Sequence, residues 1–86
     1  MMKFSKDDVT QYLKIVRDDN PIHNHIVPGQ MVVQKVLQDY GMQNMACNVR
    51  YKQAVYINEP LNVYQESCSF VVKNEQGVVK VKMIVV

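Results

Sequence analysis

Pro28-Gly29-Gln30-Met31-Val32-Val33-Gln34-Lys35-Val36-Leu37-Gln38-Asp39-Tyr40-Gly41 is the stretch on which the fold turns. Val32, Val33, Val36, Leu37 and Tyr40 recur at helical spacing and make one broad apolar face, leaving Gln30, Gln34, Lys35, Gln38 and Asp39 for the outer side. Proline is harmless at a first helical position, where its missing amide would have no partner anyway. Gly41 can adopt the left-handed conformation that closes a helix. A helix is therefore predicted from Pro28 to a cap at Gly41. From Asn48 the apolar period changes from helical to two.

Downstream, Val49, Tyr51 and Val55 alternate with Arg50 and Lys52 as far as an Asn58-Glu59-Pro60 turn. Leu61 and Val63 open a further extended run that continues through Cys68, Phe70 and Val72, with either a bulge or a tight turn between Val63 and Ser67. Asn74-Glu75-Gln76-Gly77 is a hairpin turn, after which Val79, Val81, Met83 and Val85 alternate with Lys80 and Lys82. Upstream, Phe4-Ser5-Lys6-Asp7-Asp8-Val9 carries a helix start: Ser5 caps, Asp8 stands at the third helical position, and Phe4 can staple onto Val9. Val9, Tyr12, Leu13 and Val16 continue that helix until Asn20-Pro21, because a residue before proline is pushed out of the helical region. Helices first and consecutive antiparallel strands afterwards predict an α+β domain.

Eighty-six residues make one small domain, 1–86, near the lower limit for a core without staples. Dimerisation is the expected remedy for so short a chain. The formal charge of +2 and the scatter of the lysines argue against a nucleic-acid partner and place those lysines on solvated faces. Cys47 and Cys68 have neither metal nor redox spacing, and Cys68, within an apolar alternation, reads as a small buried hydrophobe. No segment has signal-peptide or membrane-spanning character, so a soluble protein of the reducing cytoplasm is expected.

Between the helices lies Asp18-Asp19-Asn20-Pro21-Ile22-His23. A carboxylate and an imidazole five positions apart are the two groups needed to move protons on and off a water near neutral pH. The ordinary reading is a polar turn, with Asp18 capping and His23 exposed. Against it stands the nearby Pro28-Gly29 helix start, whose unpaired amides suit an oxygen that is gaining negative charge. Gly29 brings no side chain to obstruct such an approach. His23-Asn24-His25, with Asp18, also invites a metal reading, which lacks a further ligand cluster. Tyr51 and Tyr56 are candidates for a pocket lining, although strand tyrosines ordinarily serve packing.

Asp18-x-Asn20-Pro21-Ile22-His23 resembles the signature of the MaoC-like, (R)-specific enoyl-CoA hydratases of the hotdog fold. The flanks are similar too, and in the same order. Phe4-Ser5 through Tyr12 looks like the family's capped helix, Ile26-Val27-Pro28-Gly29-Gln30-Met31 resembles its Ile-Val-His-Gly-Met segment, and Val49-Arg50-Tyr51-Lys52-Gln53-Ala54-Val55 is similar to its Val-Arg-Phe-x-x-Pro-Val strand. The resemblance implies a sheet wrapped around one long central helix, dimerised with a continuous sheet, and reversible addition of water to trans-2-enoyl thioesters. It assigns water activation and proton transfer to Asp18 and His23, a hydrogen bond to the thioester oxygen to the Gly29 amide, and the shaping of the turn to Asn20 and Pro21. The substrate would bring its own coenzyme A or acyl-carrier pantetheine, with no other cofactor and no metal. Three departures stand out: Arg17 replaces a glycine, Pro28 replaces a histidine, and only Asn24 to Pro28 separate His23 from Gly29.

The leading expectation is thus a cytoplasmic homodimeric hotdog hydratase or dehydratase of enoyl thioesters, with no nucleic-acid or membrane partner. The rival is a non-catalytic hotdog domain that binds an acyl thioester or a protein partner. A thioesterase on the same fold is a third expectation.

Overall fold

In this computed structural model the described residues are 2–16, 25–42 and 45–86. They form helix α1 (Lys6–Val16), strand β1 (Ile26–Val27), helix α2 (Gly29–Asp39) and strands β2 (Cys47–Tyr51), β3 (Val55–Tyr56), β4 (Leu61–Glu66), β5 (Ser69–Asn74) and β6 (Val79–Val85). The domain is α+β, and its described residues make two antiparallel sheets and two helices.

Local chemistry sets the helix ends. The Asp8 amide donates to Ser5 Oγ at 3.1 Å and the Ser5 amide donates to Asp8 Oδ2 at 3.1 Å, a reciprocal capping box with aspartate in the position usually taken by glutamate. Phe4 and Val9 are both buried beneath it. Val16, the last of the predicted apolar positions, is 46% exposed, so the buried stripe of α1 fades toward its C-terminus. Helix α2 begins one residue later than the proline rule predicts. Pro28 has an extended ψ of 131° and acts as the N-cap, its carbonyl accepting the amides of Met31 (3.0 Å) and Val32 (3.4 Å). At the other end Gly41 has φ +70°, and the Gly41 and Met42 amides donate to the carbonyls of Gln38 (3.2 Å) and Leu37 (2.7 Å). These two bonds form a Schellman motif, which satisfies carbonyls that a helix end otherwise leaves orphaned. The helix has 11 residues, about 16 Å of axis at the usual rise.

The larger sheet runs β2-β6-β5-β4, antiparallel throughout. Its register aligns Val49, Met83 and Phe70 in one row and Tyr51, Val81, Val72 and Val63 in the next. Phe70, Val72, Val81 and Met83 share one core with Val32, Val33, Val36 and Leu37 of α2, and the Tyr40 ring lies 4.8 Å from that of Phe70. Met2 adds an isolated bridge to Leu61 on the β4 edge. The open question between Val63 and Ser67 resolves as a tight turn: Glu66 pairs with Ser69, leaving Ser67 (φ +50°) and Cys68 as a two-residue loop. Cys68 is consequently exposed, not buried, because it occupies the loop and not a ladder position. In the following hairpin, Asn74 Oδ1 accepts the amides of Gln76 (3.0 Å) and Val78 (2.9 Å), and Gly77 supplies φ +79°.

One strand residue reverses its predicted side. Lys80 was expected on a solvated face, yet it is only 5% exposed. Val72 pairs with Val81 while Lys73 pairs with Val79, so Lys80 is the extra residue of a bulge in β6. A bulge re-aims the side chain it carries. No helix among the described residues is long and apolar enough to cross a membrane.

Candidate functional site

Four residues were singled out from the sequence. Asp18, Asn20 and His23 lie outside the described residues, and so do Arg17 and Pro21. Gly29 is described, at the first position of α2. His25 lies in an exposed turn where its carbonyl accepts the Ile57 amide at 3.0 Å. Among the described residues, no three His, Cys, Asp or Glu side chains come together as metal ligands would.

Gly29 lines an open cleft of about 560 Å³. One wall is the segment that leads into α2: Ile26 and Val27 form β1, held against Tyr56 and Val55 of β3. The strap Lys52–Gln53–Ala54 that joins β2 to β3 lines the cleft as well, and Val81 and Val55 contribute apolar surface. Gln30, Lys52 and Gln53 supply polar groups around this apolar body. Such a mixture suits a ligand with a hydrocarbon part and a few oriented polar atoms.

Among the described residues, none caps the N-terminus of α2 with its side chain, and the first turn holds no acidic residue. The amides of Met31 and Val32 are taken by the Pro28 carbonyl, which leaves those of Gly29 and Gln30 as the ones a helix start leaves without an intrahelical acceptor. Both residues line the cleft. The side-chain space of Gly29, however, is occupied. A Cβ built there would stand 2.7 Å from Tyr51 Cδ1 and 3.1 Å from Tyr51 Cζ, inside contact distance. Tyr51 ends β2 on the core-facing side of the sheet, and its ring closes over the first turn of α2 while remaining 56% exposed. Glycine is needed here for the ring to approach.

Behind the strap lies an ion pair that the sequence does not announce. Lys80 Nζ is 3.1 Å from Glu59 Oε2, donates to the Ala54 carbonyl at 2.8 Å, and stands 5.3 Å from the centre of the Tyr56 ring. Glu59 Oε1 accepts the Tyr56 amide at 3.1 Å and Oε2 accepts Asn74 Nδ2 at 3.3 Å. Burial by itself raises the Glu59 carboxyl, but the Tyr56, Lys80 and Asn74 hydrogen bonds and the Lys80 charge outweigh it and hold the group below its ordinary value. The regular alternation of Val79, Lys80 and Val81 carries no local sign of the bulge that turns Lys80 inward.

No protein-family model matches the chain, and no curated protein matches it in sequence.

Proposed function

We propose that this chain is a hotdog-fold hydratase or dehydratase of trans-2-enoyl thioesters, working as a homodimer in the cytoplasm. The observation that carries the reading is the continuity between the Asp18–His23 stretch and the cleft: three residues after His23 the chain reaches Ile26, and from there Val27 and Gly29 line the cavity. An apolar-walled cleft with the first amides of α2 at one side, which no described side chain caps, suits an acyl chain with a thioester carbonyl. The order of elements, capped helix, α2 and then antiparallel strands, accords with the resemblance as well.

In this mechanism Asp18 and His23 hold a water. Its oxygen bonds to the β-carbon as its proton passes to the pair, and the electron pair of the double bond moves toward the thioester. The Gly29 amide steadies the resulting enolate-like oxygen, and a proton from the pair completes the α-carbon. Elimination is the reverse. Asn20 shapes the turn, and coenzyme A or an acyl carrier brings the pantetheine, with no further cofactor.

The test follows loss of the conjugated enoyl-thioester absorbance when the protein meets crotonyl-CoA. Asp18→Asn and His23→Ala should each cost about 10²–10⁴-fold in kcat if acid–base help is lost. Full activity in both variants sinks the roles, and no turnover at any chain length sinks the enzyme. A second reading, acyl-thioester binding without catalysis, is favoured by the openness of the cleft and the short Asn24–Pro28 connection. Binding of acyl-CoA with no turnover would select it.

A further inference from the structure

We infer that Lys80, with Glu59 as its counter-ion, is the positioning residue that sets the strap Lys52–Gln53–Ala54, and thereby the width of the cleft. The strap has no ladder of its own, since β2 ends at Tyr51 and β3 starts at Val55. Among the described residues, its hydrogen bonds all go to Lys80. The Lys80 carbonyl accepts the amides of Lys52 (2.8 Å) and Gln53 (3.2 Å), and Nζ donates to the Ala54 carbonyl (2.8 Å). One residue thus holds three consecutive residues of a cleft wall, two through its backbone and one through its side chain. The β6 bulge is what permits both grips, because it turns the side chain inward while the carbonyl still faces the end of β2.

Glu59 fixes where the ammonium stands. It is tied to the Tyr56 amide and to Asn74 at the head of the β5–β6 turn, so its position is set by segments other than the strap. An ion pair of a buried lysine and a half-buried glutamate is a poor way to gain stability, because apolar residues of similar volume do as well or better. Its use beside a cavity accords with a gain in position instead. Each polar atom is satisfied: among the described residues no buried side-chain nitrogen or oxygen lacks a partner. An unmatched carbonyl at Ala54 would otherwise pull the strap toward water.

The functional half of this inference rests on the hydratase reading, and the experiment keeps the two apart. The variant is Lys80→Met with Glu59→Gln, which removes both charges together and leaves no buried unpaired carboxylate. Amide hydrogen exchange on the folded variant should show protection at Lys52 and Gln53 falling at least ~10-fold while the Phe70 and Met83 amides hold theirs. With crotonyl-CoA, KM should rise ~10-fold with kcat within ~3-fold, since Asp18 and His23 are untouched. Unchanged strap protection overturns the inference, and so does lost protection with an unchanged KM, which would make the pair a support of the fold alone. Absence of wild-type turnover would end the hydratase reading, while the exchange result would still judge the grip on the strap. Should the double variant fail to fold, Glu59→Gln alone strips the ammonium of its counter-charge and must lower strap protection, or the inference fails.

Discussion

The four-stranded sheet and the small β1–β3 end are built by different means. In the sheet, strands of five to seven residues make ladders broken only at the Lys80 bulge among the described residues, and Phe70, Val72, Val81 and Met83 share one core with α2. At the cleft end, strands of two residues meet, and the strap between them hangs on a lysine carbonyl and an ammonium. The first region draws on apolar burial, which is non-directional and tolerant of small shifts. The second draws on a few directed polar contacts, each of which fixes a distance. Stability is therefore concentrated in the sheet, and the geometry of the cleft in the polar cluster.

The largest expected effect breaks the sheet side. Phe70 is fully buried with the Tyr40 ring tilted against it, so Phe70→Ala should cost about 3–5 kcal/mol. For a domain of this size that lowers Tm by more than about 12 °C, readable by calorimetry or circular dichroism. The loss should be global, with the sheet and cleft unfolding together. A Phe70→Ala protein that melted like the wild type would show that the core is not where the stability resides.

The contrast between the regions also explains what the sequence could disclose. Both helices, the Asn74–Gly77 turn and the alternation of Val81 and Met83 are written in local patterns, because capping, φ preference and period two act over a few residues. Gly41 was legible for the same reason: only its own φ and the two bonds beside it are involved. Lys80 was not, because its burial depends on a one-residue slip against Lys73 and on a glutamate 21 positions earlier in the chain. The exposure of Cys68 followed from a turn that periodicity left open. In the candidate site, Gly29 stands out in the sequence by its place at a helix start, but the ring that fills its missing side chain comes from Tyr51, 22 positions later in the chain.

A smaller effect sharpens the comparison at that contact. Gly29→Ala places a methyl group inside the Tyr51 ring, which must swing away; because the ring is half exposed it can do so, and the cost should be about 1 kcal/mol, at the low end for overpacking. In a Tyr51→Ala background the same substitution should cost almost nothing. A double-mutant cycle on Tm or urea midpoints therefore should return a coupling above about 0.5 kcal/mol. No coupling would mean that the ring is not what requires glycine at the start of α2.

The smallest effect is a slope, and it separates the regions by chemistry. Glu59 has a carboxyl held below its ordinary value in the folded state, so the folded protein binds its proton less readily than the unfolded chain does. The sign follows: the stabilisation is fully present above the unfolded value, declines as pH falls through the interval between the two, and is gone below the folded value. Protonation then leaves Lys80 without its counter-charge and loosens the hold on Ala54. Urea midpoints measured from pH 7 down to pH 3 should fall more steeply for the wild type than for Glu59→Gln, the difference between the two curves isolating this carboxyl from the others. Strap amides should lose exchange protection before those of Phe70 and Met83 in that range, because acid reaches the polar cluster while the apolar core has nothing to titrate. Parallel curves for the two proteins would place the acid sensitivity elsewhere and remove the chemical distinction between the sheet and the cleft.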